Sequence, residues 1–169
     1  MEKGTMVTDS RMYSYVVLLD MHTGFFRSAL EGISDGDAQR RLDTKANHIA
    51  WLAGSLVQQR YEMAHALGLD AGLQQAAHEL FKDNKGIQDG LAYPSLSSFL
   101  QDWDVITPKL REAMLKADAG QLDHSVEFMP GHKATILELT SFSIYREANC
   151  IGQIALWRRL LGYDAMKYM

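Results

Sequence analysis

Apolar residues recur at three- and four-residue steps through four long segments of this chain, which is the period of a helix with one buried face. In the first segment Met12, Val16, Leu19, Thr23, Phe26, Leu30 and Ile33 share one stripe. The spacing predicts a helix over 9–32. The second starts near Asn47, a residue type that caps helix N-termini, and stops at Gly68, a type that ends helices. Ile49, Leu52, Leu56, Met63 and Leu67 form its stripe, predicting a helix over 47–67. The third, over 95–117, opens on Ser95 as cap and carries Leu96, Phe99, Trp103, Ile106, Leu110, Met114 and Ala117. Pro108 falls inside it, so a kink is expected near 104–108. The fourth, over 136–161, has the strongest start signal. Thr135 followed by Glu138 makes a capping box, and Gly162 closes the helix.

The long connection from Leu69 to Pro94 is expected to hold a short helix in "GLQQAAHELF" and a glycine-rich turn. No segment of alternating polarity stands out. Four long amphipathic helices in 169 residues predict one all-α domain, 1–169, built as a helical bundle.

The formal net charge of −4 gives no electrostatic case for nucleic acid. No apolar run approaches the ~18 residues of a membrane span. The start, "MEKGTMVTDSRMYSY", has no apolar stretch of signal-peptide length, so a soluble cytoplasmic protein is expected. A single cysteine excludes an intramolecular disulfide and a zinc site built on several cysteines.

The most informative stretch is "YREANCIGQIALWRRLLG", 145–162. At 100° per residue Leu139, Ser143, Arg146, Cys150, Ile154, Trp157 and Leu161 fall on one face. Arg146 and Cys150 stand one turn apart near its centre, the spacing of two metal ligands on a helix. Arginine cannot ligate a metal. A buried arginine instead needs an acidic partner or a polar cavity, and Asp20 and Glu62, on the flanks of the first two stripes, are the candidate partners. Glu147 points about 100° away from Arg146 around the helix and is set aside. Cys150 reads as a small buried hydrophobe, with no histidine placed beside it as a base. A second stripe, Leu137, Ile144, Ala148, Ile151 and Ala155, lies roughly opposite the first. It would be covered by the Leu69–Pro94 segment or by a second copy, and a homodimer is expected.

At these residues the chain resembles the DinB-like superfamily of metal-dependent helical bundles. That family's last long helix carries H-x-x-x-H-x-G-Q, often followed by arginine and leucine-glycine. Gly152, Gln153, Arg158, Leu161 and Gly162 match. A second feature, N-x-I-A-W with a ligand histidine four residues after the tryptophan, is similar to "NHIAWLAGSLVQQRY", through Asn47, Ile49, Ala50 and Trp51. The resemblance implies a four-helix bundle of up-down-down-up order, with a long crossover between the second and third helices. It places the metal ligands at Ser55, Arg146 and Cys150, and none of these is histidine. His48, two turns before Ser55, matches no ligand position and reads as a capping or surface residue. The histidines at 22, 65, 78, 124 and 132 have no ligand spacing; His124 and His132 sit in the loop before the fourth helix, where they could overhang the bundle mouth.

The resemblance links the family to metal-dependent thiol transfer and hydrolysis, but without ligands these activities do not carry over. The leading expectation is a bundle with no metal at the family site, and with a small, anionic molecule bound at Ser55, Arg146 and Cys150, where Arg146 clamps the anion. Two alternatives stand beside it. One is a metal-dependent hydrolase or thiol transferase with substitute ligands such as His48, Cys150 and an acid. The other is a non-catalytic structural or interaction protein.

Overall fold

The computed structural model describes residues 5–169. Among these, seven α-helices and a two-stranded sheet follow one another: α1 (Tyr13–Leu30), α2 (Asp35–Ala38), α3 (Ile49–Ala66), α4 (His78–Phe81), α5 (Leu96–Lys116), α6 (Ala119–Leu122), β1 (Ser125–Met129), β2 (His132–Thr135) and α7 (Ile136–Leu160). The chain is mostly helical, and the four long helices lie within four residues of the spans the apolar spacing predicts.

Their ends follow local chemistry. A 3-10 turn, Ser10–Met12, capped by Asp9, leads into α1. Ser95 Oγ accepts from the Ser98 amide and opens α5. Thr135 and Glu138 form the full capping box at α7. Gly68 and Gly162 take left-handed backbone, at φ +94° and +89°, just past α3 and α7. The cap of α3 is not Asn47 but His48, whose Nδ1 accepts the Trp51 amide at 3.1 Å. Asn47 lies one residue outside, where its carbonyl accepts from Trp157 Nε1 at 2.9 Å. The α5 helix runs through Pro108 as one element, and the proline leaves the Asp104 carbonyl without its helical amide donor.

The hairpin β1–β2 departs from the all-helical expectation. Val126 pairs with Ala134 and Glu127 with Lys133, with a register shift between Glu127 and Met129. Gly131, at φ +77°, turns the chain, and its amide is held by Glu127 Oε1.

The α3 helix packs against α5 and α7, and α1 packs against the same two. The core between them is one continuous apolar cluster. Phe26 of α1 stacks on Trp103 of α5 at 4.0 Å. The Leu69–Pro94 connection holds α4, as expected, and sets Phe81 on α3 at Gly54. A Cβ there would lie 2.7 Å from Phe99 and nearer still to the Phe81 ring. Glycine is what lets the two rings reach the helix.

Burial corrects the reading of α7. Its innermost residues are Ile136, Thr140, Ile144, Glu147, Cys150, Ile151, Ile154, Trp157 and Arg158. Ile144 and Ile151, assigned above to a second and separate stripe, belong to this core, and α1 packs against α7. The midline is turned by one residue, from Arg146 to Glu147. No described helix is long and apolar enough to cross a membrane.

Candidate functional site

Two arginines on neighbouring turns of the α3–α7 interface define the polar centre of the molecule. They are satisfied in opposite ways.

Arg60 sits on the α3 stripe, four residues after Leu56 and three before Met63, so the helical period carries it inward. It is fully buried, as is Glu147 of α7. Arg60 Nε donates to Glu147 Oε2 at 2.9 Å and Nη2 donates to Oε1 at 2.6 Å. Nη1 donates to Thr23 Oγ1 of α1 and Thr107 Oγ1 of α5, and Nη2 also reaches the Leu19 carbonyl. All five guanidinium protons therefore have acceptors. The guanidinium carbon lies 3.3 Å above the Trp103 ring, a cation–π contact. His22 Nδ1 stands 3.3 Å from Glu147 Oε1 without good hydrogen-bond alignment. Burial pushes the Glu147 carboxyl up, but the charge and paired hydrogen bonds of Arg60 outweigh it and hold it below its ordinary value. This network joins all four long helices and leaves Arg60 no donor for a ligand.

Arg146 is half-buried. Nη2 donates to Ser55 Oγ at 2.6 Å and Nη1 to Gln59 Oε1 at 3.1 Å. Gln59 is braced in turn by donating to the Ser143 carbonyl at 2.8 Å. Among the described residues no carboxylate lies within ion-pair distance of Arg146. Two of its five donor positions are used within the chain. Cys150, one turn on, is buried. Burial raises its thiol pKa, with Glu147 adding to the rise and Arg146 opposing it, so the sulfur stays protonated at neutral pH.

Ser55 and Arg146 are thus in contact, with Cys150 on the same face. The residues named as their neighbours stand elsewhere. Asp20 pairs with Arg111 of α5 at 2.8 and 2.9 Å on the surface. Glu62 is exposed and accepts from Gln58. His48 is spent on capping, buried at the start of α3 with its ring edge-on to Tyr93. Burial, with the nearby charge of Arg41, lowers its pKa below 6.5. His124 stands just before β1 and His132 opens β2, and both are exposed. No three His, Cys, Asp or Glu side chains among the described residues form a group able to hold a metal ion.

Beside Gln59 a small cavity of about 160 Å³ opens between α3 and α7, lined by Glu62, Met63, Leu139, Thr140 and Ser143 among others. A wider, open cleft of about 700 Å³ lies at the far end of α3, between Leu67–Leu73 and Lys109, Glu112 and Lys116 of α5.

The sequence reading missed Arg60, Glu147 and His22. Each interrupts an apolar stripe in register: His22 falls three after Leu19 and four before Phe26, and Glu147 three after Ile144 and four before Ile151. Polar residues of opposite charge on two such stripes are the signal that was there to be used.

No protein-family model, curated protein or solved structure matches this chain.

Proposed function

We propose that this chain is a DinB-like four-helix bundle of up-down-down-up order that holds no metal and binds a small anionic molecule beside Arg146. Contacts along the helices support the helix order. Tyr15 meets Ser141 near the starts of α1 and α7, and Arg158 meets the Ala29 carbonyl near their ends. Between α3 and α7 the pairs run the other way, with Asn47 against Trp157, Ser55 against Arg146 and Gln59 against Ser143. Arg27 with Asp104 and Asp20 with Arg111 run α5 against α1.

The observation that carries the function is the state of Arg146. A half-buried guanidinium fixed by two neutral acceptors keeps its charge uncompensated and its remaining donors unassigned. A carboxylate or phosphate supplies both the charge and a matching planar or tetrahedral set of acceptors. The same position argues against metal chemistry: a guanidinium cannot ligate, and a thiol kept protonated by burial is a poor ligand.

The test is thermal unfolding with millimolar inorganic phosphate or acetate added at constant ionic strength. Either anion should raise the Tm of the wild-type chain and leave Arg146→Met unmoved, by the linkage of binding to stability. Equal shifts in both proteins, or none in either, would remove Arg146 from the site. Elemental analysis should find well under one zinc, nickel or iron per chain.

A further inference from the structure

The outward face of α7 is apolar and bare. Phe142, Tyr145, Leu156 and Leu160 keep 60%, 64%, 61% and 58% of their surface exposed. With Asn149 and Gly152 between them, the steps are three or four residues throughout, so they form one straight stripe along five turns. None of these residues is charged. Among the described residues, the elements that could have covered the stripe lie elsewhere: α4 sits on α3 through Phe81, and the tail runs along α1, with the Lys167 amide on Ser28 Oγ and Tyr168 edge-on to Phe25.

We infer that this stripe is the interface of a homodimer in which two α7 helices cross antiparallel between Asn149 and Gly152. The stripe points to a second copy because it is self-complementary. Tyr145 with Leu156, and Phe142 with Leu160, are both centred on the turn 150–152, so a two-fold axis there lays each aromatic residue on a leucine of the partner. At the centre the face is low. A Cβ on Gly152 would meet nothing within 4 Å, and Gln153 and Asn149 bond to each other at 2.7 Å and lie along the surface. Low centres allow helix backbones to approach closely, with the large side chains closing over both ends. At about 200 Å² for a large apolar side chain, the four exposed ones present roughly 500 Å². The polar and glycine positions between them bring the face towards the ~800 Å² per partner of a stable dimer.

Sedimentation equilibrium of the full chain at micromolar concentration should return the mass of two chains. Tyr145→Lys and Leu156→Glu, each alone, should raise the dimer dissociation constant at least tenfold while far-UV circular dichroism stays unchanged. The two together should restore the dimer, because the axis sets the lysine of one copy beside the glutamate of the other. A monomeric wild type overturns the inference. So does a dimer that both single variants leave intact, and failure of the double variant to recover overturns the antiparallel crossing.

Discussion

Arg60 on α3 and Glu147 on α7 form a two-point ion pair, at 2.6 and 2.9 Å, with no solvent reaching either side chain. Removing one member strands the other charge in the core. Arg60→Met should therefore cost about 3–5 kcal/mol in urea unfolding, and Glu147→Leu a similar amount. The double variant should recover most of that loss, since no buried charge then remains. Additive losses would show that Thr23, Thr107 and Trp103 matter more than the pair. The lowered carboxyl of Glu147 adds a pH arm. Its contribution is complete above the ordinary value of 4.5 and is lost as pH falls through its lower folded-state value.

Arg146→Met should behave differently. Its partners are the neutral Ser55 and Gln59, so no acid is left stranded. The loss should be about 1.5–3 kcal/mol, the scale of hydrogen bonds to a charged group. A loss as large as that of Arg60→Met would mean that a buried acid depends on Arg146.

His48 caps α3 through an acceptor nitrogen and lies buried, with a pKa below 6.5. The unfolded chain takes up a proton near pH 6.5 while the folded chain resists it. Stability should fall as pH drops through 6.5 and level off below the folded-state value. His48→Asn keeps a capping acceptor and does not titrate. Denaturant midpoints measured between pH 7.5 and 5 should flatten in that variant.

Gly54→Ala tests how the Leu69–Pro94 connection is seated. The added methyl enters space held by Phe81 and Phe99, and overpacking of this kind costs about 1–3 kcal/mol. Hydrogen exchange should speed up first in α4, which is tied to the core through Phe81. An unperturbed α4 would show that the rings have room to move.

The helices were legible in this sequence because each carries its own period and its own punctuation, as at Ser95, Thr135 and Glu138. The turn of α7 was not, because apolar periodicity scores Glu147 as a surface residue. Its true place depends on Arg60, 87 residues earlier, and a one-residue rotation carried the expected partners of Arg146 to Asp20 and Glu62. Asn47 was placed at the start of α3 because it is the commoner capping type, whereas His48, read as a capping or surface residue, is the cap and is buried. The hairpin had a usable signal in Pro130-Gly131, but its short strands and register shift gave little alternation to read.

The positions Ser55, Arg146 and Cys150 offer a direct test of the resemblance to metal-binding bundles. Arg146 and Cys150 are one turn apart on α7, and the Ser55 hydroxyl of α3 meets the guanidinium of Arg146. Three histidines at these places would present neutral nitrogens from two facing helices, and zinc accepts such nitrogens at about 2.0–2.1 Å. The substitutions also remove the positive charge that would repel a cation. The triple variant Ser55→His, Arg146→His, Cys150→His should bind nickel or zinc near one per chain by calorimetry. Its Tm should rise with metal and fall back with a chelator, while the wild type shows neither response. Arg146→His alone, with a single ligand, should bind weakly or not at all. A triple variant that folds, by its helical circular dichroism, and still takes no metal would mean that α3 and α7 stand at the wrong separation for three ligands. The likeness at Asn47, Trp51, Gly152 and Gln153 would then be a likeness of helix sequence alone.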